Sequence, residues 1–286
     1  MSTPTIYLVG SGTSRIDPRR GQTRACVIDG DTTFAIDLGF GSLERLEQLG
    51  GFDVCSTLHI HISHRHTDHL IGIFPLLQCL TYSDDRRHLA VNRVVIHATS
   101  EVCNLIEAVR SVWGPHETSL SSPMRGTSHR RIEYQPGPDY QDWSYTVGGL
   151  HVQSVHLADS NNHGVSFSVG GTRYAFTADA TVFSDELVEF CKDASVCVFD
   201  FGHLTNIRQE DGSFVFDQSQ AVSLLSRANP RKMYACHIYL RYLQEQLYSR
   251  DERKQEIARI ITSTSTAARE SGFTGQLIVG EDGMAL

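Results

Sequence analysis

Apolar and polar residues alternate in short runs near the amino terminus, at Ile6 to Val9, Thr23 to Ile28 and Thr33 to Asp37, and this period of two predicts strands. Asp29-Gly30-Asp31 between the last two is a hairpin-turn signal. Gly39-Phe40-Gly41-Ser42 then opens a predicted helix through Leu49, which Gly50-Gly51 would stop. Ser56 to Ser63 reads as a strand and Asp68 to Leu80 as a helix. Val94 to Ala98 is strand-like, whereas Glu101 to Trp113 sets Val102, Leu105, Ile106, Val109 and Trp113 on one face of a helix. From Gly114 to Asp142 the pattern dissolves into Pro, Gly, Ser, His and Arg, a loop long enough to wall an active site. Beyond it come a strand at Leu150 to Leu157, a hairpin at Val165 to Tyr174, and a buried-looking strand before Asp200. A helix at Asp217 to Ala228, a strand ending at Cys236, a helix from about Arg241 to Ser271 and a strand at Leu277 to Gly280 complete the α/β pattern.

Composition agrees with one compact domain over residues 1–286, since 40% hydrophobic content allows a sizeable core. There is no apolar run of eighteen residues, and Met1-Ser2-Thr3-Pro4 lacks the basic and apolar regions of a signal peptide, so a cytoplasmic location without membrane partners is expected. The seven cysteines form no Cys-x-x-Cys pair and read as buried free thiols. A formal charge of −8 argues against a surface that grips long nucleic acid and favours a small substrate. It does not exclude an anionic one, because divalent ions reverse the potential inside a cleft.

The chemistry concentrates in His64-Arg65-His66-Thr67-Asp68-His69, directly after the strand ending at Ser63. Neutral imidazole and carboxylate suit zinc and other divalent first-row ions, and a strand-to-loop switch lets near neighbours face two adjacent metals. His59 and His61 precede the motif at alternating strand positions and read as packed histidines.

His-x-His-x-Asp-His followed by Leu70-Ile71-Gly72 resembles the signature of the metallo-β-lactamase superfamily of hydrolases. Later segments resemble that family's remaining ligand segments in order: His156 running toward Asn161-Asn162-His163-Gly164, Asp179 in Phe176-Thr177-Ala178-Asp179-Ala180, and His237 after Met233-Tyr234-Ala235-Cys236. The resemblance implies an αββα sandwich of two mixed sheets with helices outside, holding two divalent ions, Zn2+ or Mn2+. It implies His64, His66 and His156 on one metal, Asp68, His69 and His237 on the second, and Asp179 bridging them. His151 and His163 are the register alternatives to His156. Between two such ions a water loses its proton near neutral pH and attacks as hydroxide, with Asp68 able to orient it or pass its proton. Redox members of the family carry Glu at the position of His66, which argues against that branch.

Val9-Gly10-Ser11-Gly12-Thr13-Ser14, Asp282-Gly283-Met284 and His237 to Tyr242 resemble the ribonuclease Z and cyclic-nucleotide phosphodiesterase branch, with Ile238 and Tyr239 as departures. That branch carries a His-Glu pair for proton transfer; here Phe199 and Asp200 stand in its register, so His203 would act as general acid from three residues later. Between His156 and Asp179 there is room for a short hairpin but not for a tRNA-gripping arm. The reading is therefore a dinuclear phosphodiesterase acting on a small diester such as a cyclic nucleotide. The alternatives are a ribonuclease Z-like endoribonuclease acting on tRNA precursors, and a lactone or thioester hydrolase. Arg15, Arg19, Arg20, Arg24, Arg65 and Arg241 are candidate phosphate contacts. The branch also implies a homodimer, with 114–142 as the loop that would cover a partner's site.

Overall fold

Alternate side chains of each short apolar run are sealed from water, as a strand's two-residue period requires; Ile6 and Leu8 are buried while Thr5 is exposed. The computed structural model describes residues 4–12, 25–53, 55–82, 91–112, 131–157, 161–180, 182–211, 214–238 and 250–286. The predicted features at Thr13-Ser14, Arg15 to Arg24, 113–130 and Tyr239 to Ser249 lie outside these residues.

In chain order the elements are β1 (Thr5–Leu8), β2 (Ala25–Asp29), β3 (Thr32–Ile36), α1 (Ser42–Gln48), β4 (Thr57–His61), α2 (Thr67–Leu70), α3 (Ile73–Tyr82), β5 (Arg93–Thr99) and α4 (Ser100–Val112). They continue with β6 (Arg131–Gly137), β7 (Trp143–Val147), β8 (Leu150–His156), β9 (His163–Val169), β10 (Thr172–Phe176), α5 (Asp185–Cys191), β11 (Val196–Asp200) and α6 (Phe201–Thr205). The last are β12 (Asn206–Arg208), β13 (Phe214–Phe216), α7 (Ser219–Ala228), β14 (Lys232–Cys236), α8 (Arg250–Glu270), β15 (Gln276–Val279) and β16 (Met284–Ala285). Two seven-stranded sheets run β16-β1-β2-β3-β4-β5-β6 and β15-β14-β11-β10-β9-β8-β7. Both are mixed. Among the described residues no helix is long and apolar enough to cross a membrane.

The chain divides into two compact units, Met1–His151 with Glu281–Leu286, and Val152–Gly280. In the first, β3, β4, β5 and β6 are mutually parallel, and Ile36, His61, His97 and Gln135 share one register row. β3 and β4 end at that row, and β5 and β6 run two residues further, to Thr99 and Gly137. Leu58, Ile60 and Ile62 pack with Leu38, Leu46, Leu70, Ile73 and Ile96, each fully buried aliphatic chain contributing about 1.5–3 kcal/mol. β16 closes the amino-terminal edge by pairing Tyr7 with Ala285 and Leu8 with Met284, and the backbone N–H and hydroxyl of Ser11 donate to Asp282 at 2.8 and 2.9 Å.

Beneath the carboxyl ends lies a stack of rings. His59 Nδ1 is 2.9 Å from His97 Nε2, His61 Nδ1 is 2.8 Å from the Tyr145 hydroxyl, and Trp143 and Tyr145 of β7 stack over His61 and His97. Burial is the main force that lowers His59 to about 4 and His97 to about 3. His59 and His61 are packed, as the sequence suggested.

In the second unit β10, β11, β14 and β15 are parallel neighbours. Phe199, Phe201, Leu187, Leu224, Met233 and Ile260 form its core. Ser184 caps α5, a helix the apolar period alone did not reveal, by accepting the Leu187 N–H.

Two expectations change. The helix foreseen from Asp68 to Leu80 is two helices broken at Ile71-Gly72, because the Gly72 N–H donates to the Leu38 carbonyl at 2.8 Å instead of continuing the ladder. Only glycine fits there, since a Cβ would lie 2.8 Å from the Gly39 carbonyl oxygen. Within the loop foreseen from Gly114 to Asp142, residues 131–137 form strand β6. Parallel pairing with β5 and the Arg93–Glu133 bidentate ion pair (3.0 and 2.6 Å) hold it despite Pro136 and Gly137. Pro136 is tolerated because β6 is an edge strand.

Candidate metal centre

β4 delivers the chain to the histidine motif at the carboxyl end of the first unit's parallel strands. His64, Asp68 and His69 are buried there, while His66 sits exposed at the extended N-cap of α2. Asp37, the residue after β3, organises them. Its buried carboxylate accepts the Ser63 N–H at 2.8 Å, the Ser63 hydroxyl at 3.0 Å and the His69 Nδ1–H at 2.7 Å. Ser63 Oγ in turn stands 3.0 Å from His64 Nδ1 and accepts its proton. A carboxylate thus fixes Nδ1–H on His69 directly and on His64 through Ser63, which leaves each Nε2 as the basic atom. His64 Nε2 lies 2.9 Å from His66 Nδ1, and His69 Nε2 lies 3.7 Å from Asp68 Oδ2. Burial pushes the Asp37 carboxyl upward, but the neighbouring His69, the hydrogen bonds from His69 and Ser63, and His64 outweigh it and hold it below its ordinary range.

The second unit repeats the device. Asp179, Asp200 with His203, and His237 follow the carboxyl ends of the parallel strands β10, β11 and β14. Asp200 is fully buried, and its Oδ2 accepts His203 Nδ1–H at 2.5 Å while His237 Nδ1 lies 3.0 Å from the same oxygen. The His203 N–H also donates to Asp200 Oδ1 at 3.0 Å, and the two imidazoles stack with centroids 5.2 Å apart. His237 Nε2 is 3.9 Å from Asp179 Oδ2. One ligand atom from each of Asp179, Asp200, His203 and His237 lies within 4.8 Å of the others, a spacing that could hold a metal ion. Burial opposes ionisation of Asp200, but the two histidines keep its carboxyl below the usual carboxylate range. The Asp200 charge in turn raises His203.

His156 is half-buried at the end of β8, directly across from His163 in the β8–β9 register, with ring centroids 5.6 Å apart. His163 has Nδ1 3.2 Å from Ser154 Oγ and Nε2 3.3 Å from Asn161 Oδ1, and His151 is exposed.

Asp37, His237 and Ala178, the residue before Asp179, all have positive φ, at 60°, 56° and 51°. Backbone held in the left-handed region by residues other than glycine is strained, and such strain gathers at functional positions. Three of the motif-bearing strands end in it here. Asp37 and Ser63 were not singled out in the sequence. The signal for Asp37 was a carboxylate closing a predicted strand, yet nothing local tied it to His69.

The donor set fits a divalent metal: imidazoles and carboxylates, mostly buried, with the Nδ1 atoms of His64, His69 and His203 committed to a hydroxyl or a carboxylate. The sequence matches the Beta-lactamase superfamily domain over residues 56–238, most of the chain. It belongs to the metallo-β-lactamase superfamily. Solved metallo-β-lactamase-fold structures share the fold at low identity. The protein YhfI from Bacillus subtilis is 13% identical with a TM-score of 0.66, covering 100% of this chain and 99% of its own. A diphosphatase of the PhnP family is 15% identical with a TM-score of 0.60, covering 100% and 97%. Human tRNase Z, short form, is 13% identical with a TM-score of 0.60, covering 98% of each chain. No curated protein matches in sequence. Membership of the metallo-β-lactamase superfamily makes the mixed sheets with flanking helices, the hydrolase class and divalent-metal binding properties of the chain at the family's level.

Proposed function

We propose that the chain is a dinuclear metal-dependent phosphodiesterase whose substrate is a small diester such as a cyclic nucleotide. The observation that carries this reading is the His203 imidazole, fixed by the Asp200 carboxylate and stacked on His237. A phosphodiester expels a poor alkoxide and needs a proton at the leaving oxygen, whereas a thioester expels a thiolate that needs that acid far less; a lactone expels an alkoxide too and is told apart by the substrate, not by the acid. Asp200 holds the His203 Nδ1 proton in place, so Nε2 is the atom that would carry the transferred one.

In the same proposal His64, His66 and His156 would hold one metal and Asp68, His69 and His237 the other, with Asp179 serving both. Zinc is the first choice and manganese the second. Such ions would lower the pKa of a water for attack and offset negative charge on the phosphoryl oxygens. Asp68 would orient that water as well as ligate. The proposal takes 1–286 as one functional domain working in the cytoplasm as a homodimer; light scattering checks the last point.

A diphosphatase and a tRNase Z among the structural neighbours support phosphate-ester chemistry over lactone cleavage. Processing of tRNA precursors is the second reading. Against it, β9 and β10 meet in the tight turn Gly170-Gly171, and six residues, 157–162, separate β8 from β9. The test is hydrolysis of a panel of 3′,5′-cyclic nucleotides beside an unprocessed pre-tRNA, with zinc or manganese supplied and then chelated. Metal-dependent release of linear monophosphates is expected. Cutting of the RNA with an inert cyclic panel would move the chain to the tRNA reading, and turnover that survives chelation would sink both.

A further inference from the structure

We propose that Asp179, Asp200, His203 and His237 form an inhibitory divalent-ion site of the second unit, an inference that rests on the phosphodiesterase reading because an ion held there engages the imidazole which that reading uses as its acid. The site follows from strand order. β14, β11 and β10 lie side by side and parallel, and Asp200 at the end of β11 shares a register row with Cys236, the residue before His237. Neighbouring strands stand about 4.8 Å apart, and the backbone turns through the left-handed region at Ala178 and His237. Three strand ends therefore bring their next side chains together. α6, which begins at Phe201, returns His203 to Asp200 within one turn.

The donors are of the right kind and number. Two carboxylates and two imidazoles, one atom from each within 4.8 Å of the others, make a four-donor set of nitrogen and oxygen that suits zinc and other divalent first-row ions. Around zinc at about 2.0–2.2 Å, four such donors stand roughly 3.3–3.6 Å apart. The contacts in the fold bracket that spacing: Asp200 Oδ2 is 2.5 Å from His203 Nδ1 and 3.0 Å from His237 Nδ1, and His237 Nε2 is 3.9 Å from Asp179 Oδ2. Asp179, Asp200 and His237 are buried, whereas the His203 side chain is 25% exposed, so an ion enters past that ring.

Asp200 and His203 belong to neither set assigned to the catalytic ions, and this difference makes the site inhibitory. An imidazole ligates a metal in its neutral form, and a neutral ring is a far weaker acid than the imidazolium that a leaving alkoxide requires. Asp179 and His237 are shared with the catalytic sets, so an ion seated here also competes for donors of the catalytic pair. Both effects lower turnover.

The test titrates cobalt(II) into the full chain and follows visible absorption, with circular dichroism as the check on folding. It compares wild type, His203→Ala, and a chain stripped of the motif's donors by His64→Ala, His66→Ala, Asp68→Ala and His69→Ala. The stripped chain should still bind one ion with the absorption of a four-coordinate site. Adding His203→Ala to it should weaken that ion by at least about 10- to 100-fold, which is the cost of losing merely an outer partner of a ligand. Should the stripped chain not fold, the motif-intact pair decides: His203→Ala should remove the weakest-bound ion and leave the tighter ones in place. In parallel, hydrolysis of an alkyl diester by wild type should rise with added zinc to a maximum and fall again as the weakest ion binds. Ion binding that His203→Ala leaves unchanged in every folded background, or turnover that stays flat while the weakest ion saturates, overturns the inhibitory site and leaves the phosphodiesterase reading standing. If His203→Ala removes an ion and wild type cleaves no diester at any zinc concentration, the reading falls and the ion site stands.

Discussion

Asp37→Asn replaces one carboxylate oxygen by an amide NH2 and should alter which nitrogen of His69 is basic. In the wild type Oδ1 accepts the Ser63 N–H, and Oδ2 accepts both the Ser63 hydroxyl and His69 Nδ1–H. The Ser63 N–H can only donate, so the asparagine carbonyl oxygen must keep the Oδ1 place, and the amide nitrogen takes the place of Oδ2. There it donates to His69 Nδ1, which must give up its proton. The imidazole then carries hydrogen on Nε2, the atom meant for the metal. Loss of a carboxylate behind a ligating histidine ordinarily costs about 10- to 100-fold in metal affinity, or roughly 1.4–2.7 kcal/mol. The chelated protein should lose only about 1 kcal/mol, the usual difference between a charged and a neutral acceptor. The assay is a competitive zinc titration, paired with nitrogen-15 imidazole shifts of the chelated protein. Wild-type His69 should be the Nδ1–H tautomer and the variant the Nε2–H tautomer. Unchanged zinc affinity together with an unchanged tautomer would refute the orientation argument.

Three further outcomes follow from the same structure. His203→Gln should lower turnover of an alkyl diester by about 10²–10⁴-fold and spare a p-nitrophenyl diester, whose leaving group needs no acid; equal losses on both would remove His203 as the donor. Because His59 and His97 are lowered to about 4 and about 3 in the fold, their neutral packing stabilises fully above about pH 6.5, and that stability is lost as pH falls toward those values; denaturant midpoints should drop between pH 6 and 4, and less so in His97→Phe. Gly137→Ala should destabilise the first unit by about 1–3 kcal/mol and shift Trp143 fluorescence, since a Cβ there would collide with that indole ring; an unaltered emission spectrum would count against the packing of β6 on β7.

The sequence made the first unit's ligand row legible because its members are contiguous. A strand that ends at His61 and a helix that starts at Thr67 force His64 to His69 into one turn of chain. What it hid was pairing between strands. Asp37 and His69 meet because β3 and β4 are parallel and in register, and no local pattern records which strand lies beside which. Asp200 was legible as a residue in the place of a glutamate, but not as the carboxylate that stands against both His203 and His237, since β14 arrives from well beyond it. The same applies to β6, whose Pro136 and Gly137 read as loop until its pairing with β5 is known. The break at Gly72 was written in the sequence as a glycine, yet its reason is a carbonyl from another loop.

The pairing of β1 with β16 bears on how the chain is made. Ser11 and Asp282 are 271 residues apart, so the strand beside β1 at the sheet's edge leaves the ribosome long after β1 does. Until β16 is made, the outer side of β1 is an open row of peptide groups, the kind of edge that recruits stray strands. A contact of such long range is also slow to form. Yield of native protein should therefore depend on chaperone supply and growth temperature more than on the stability of the finished fold.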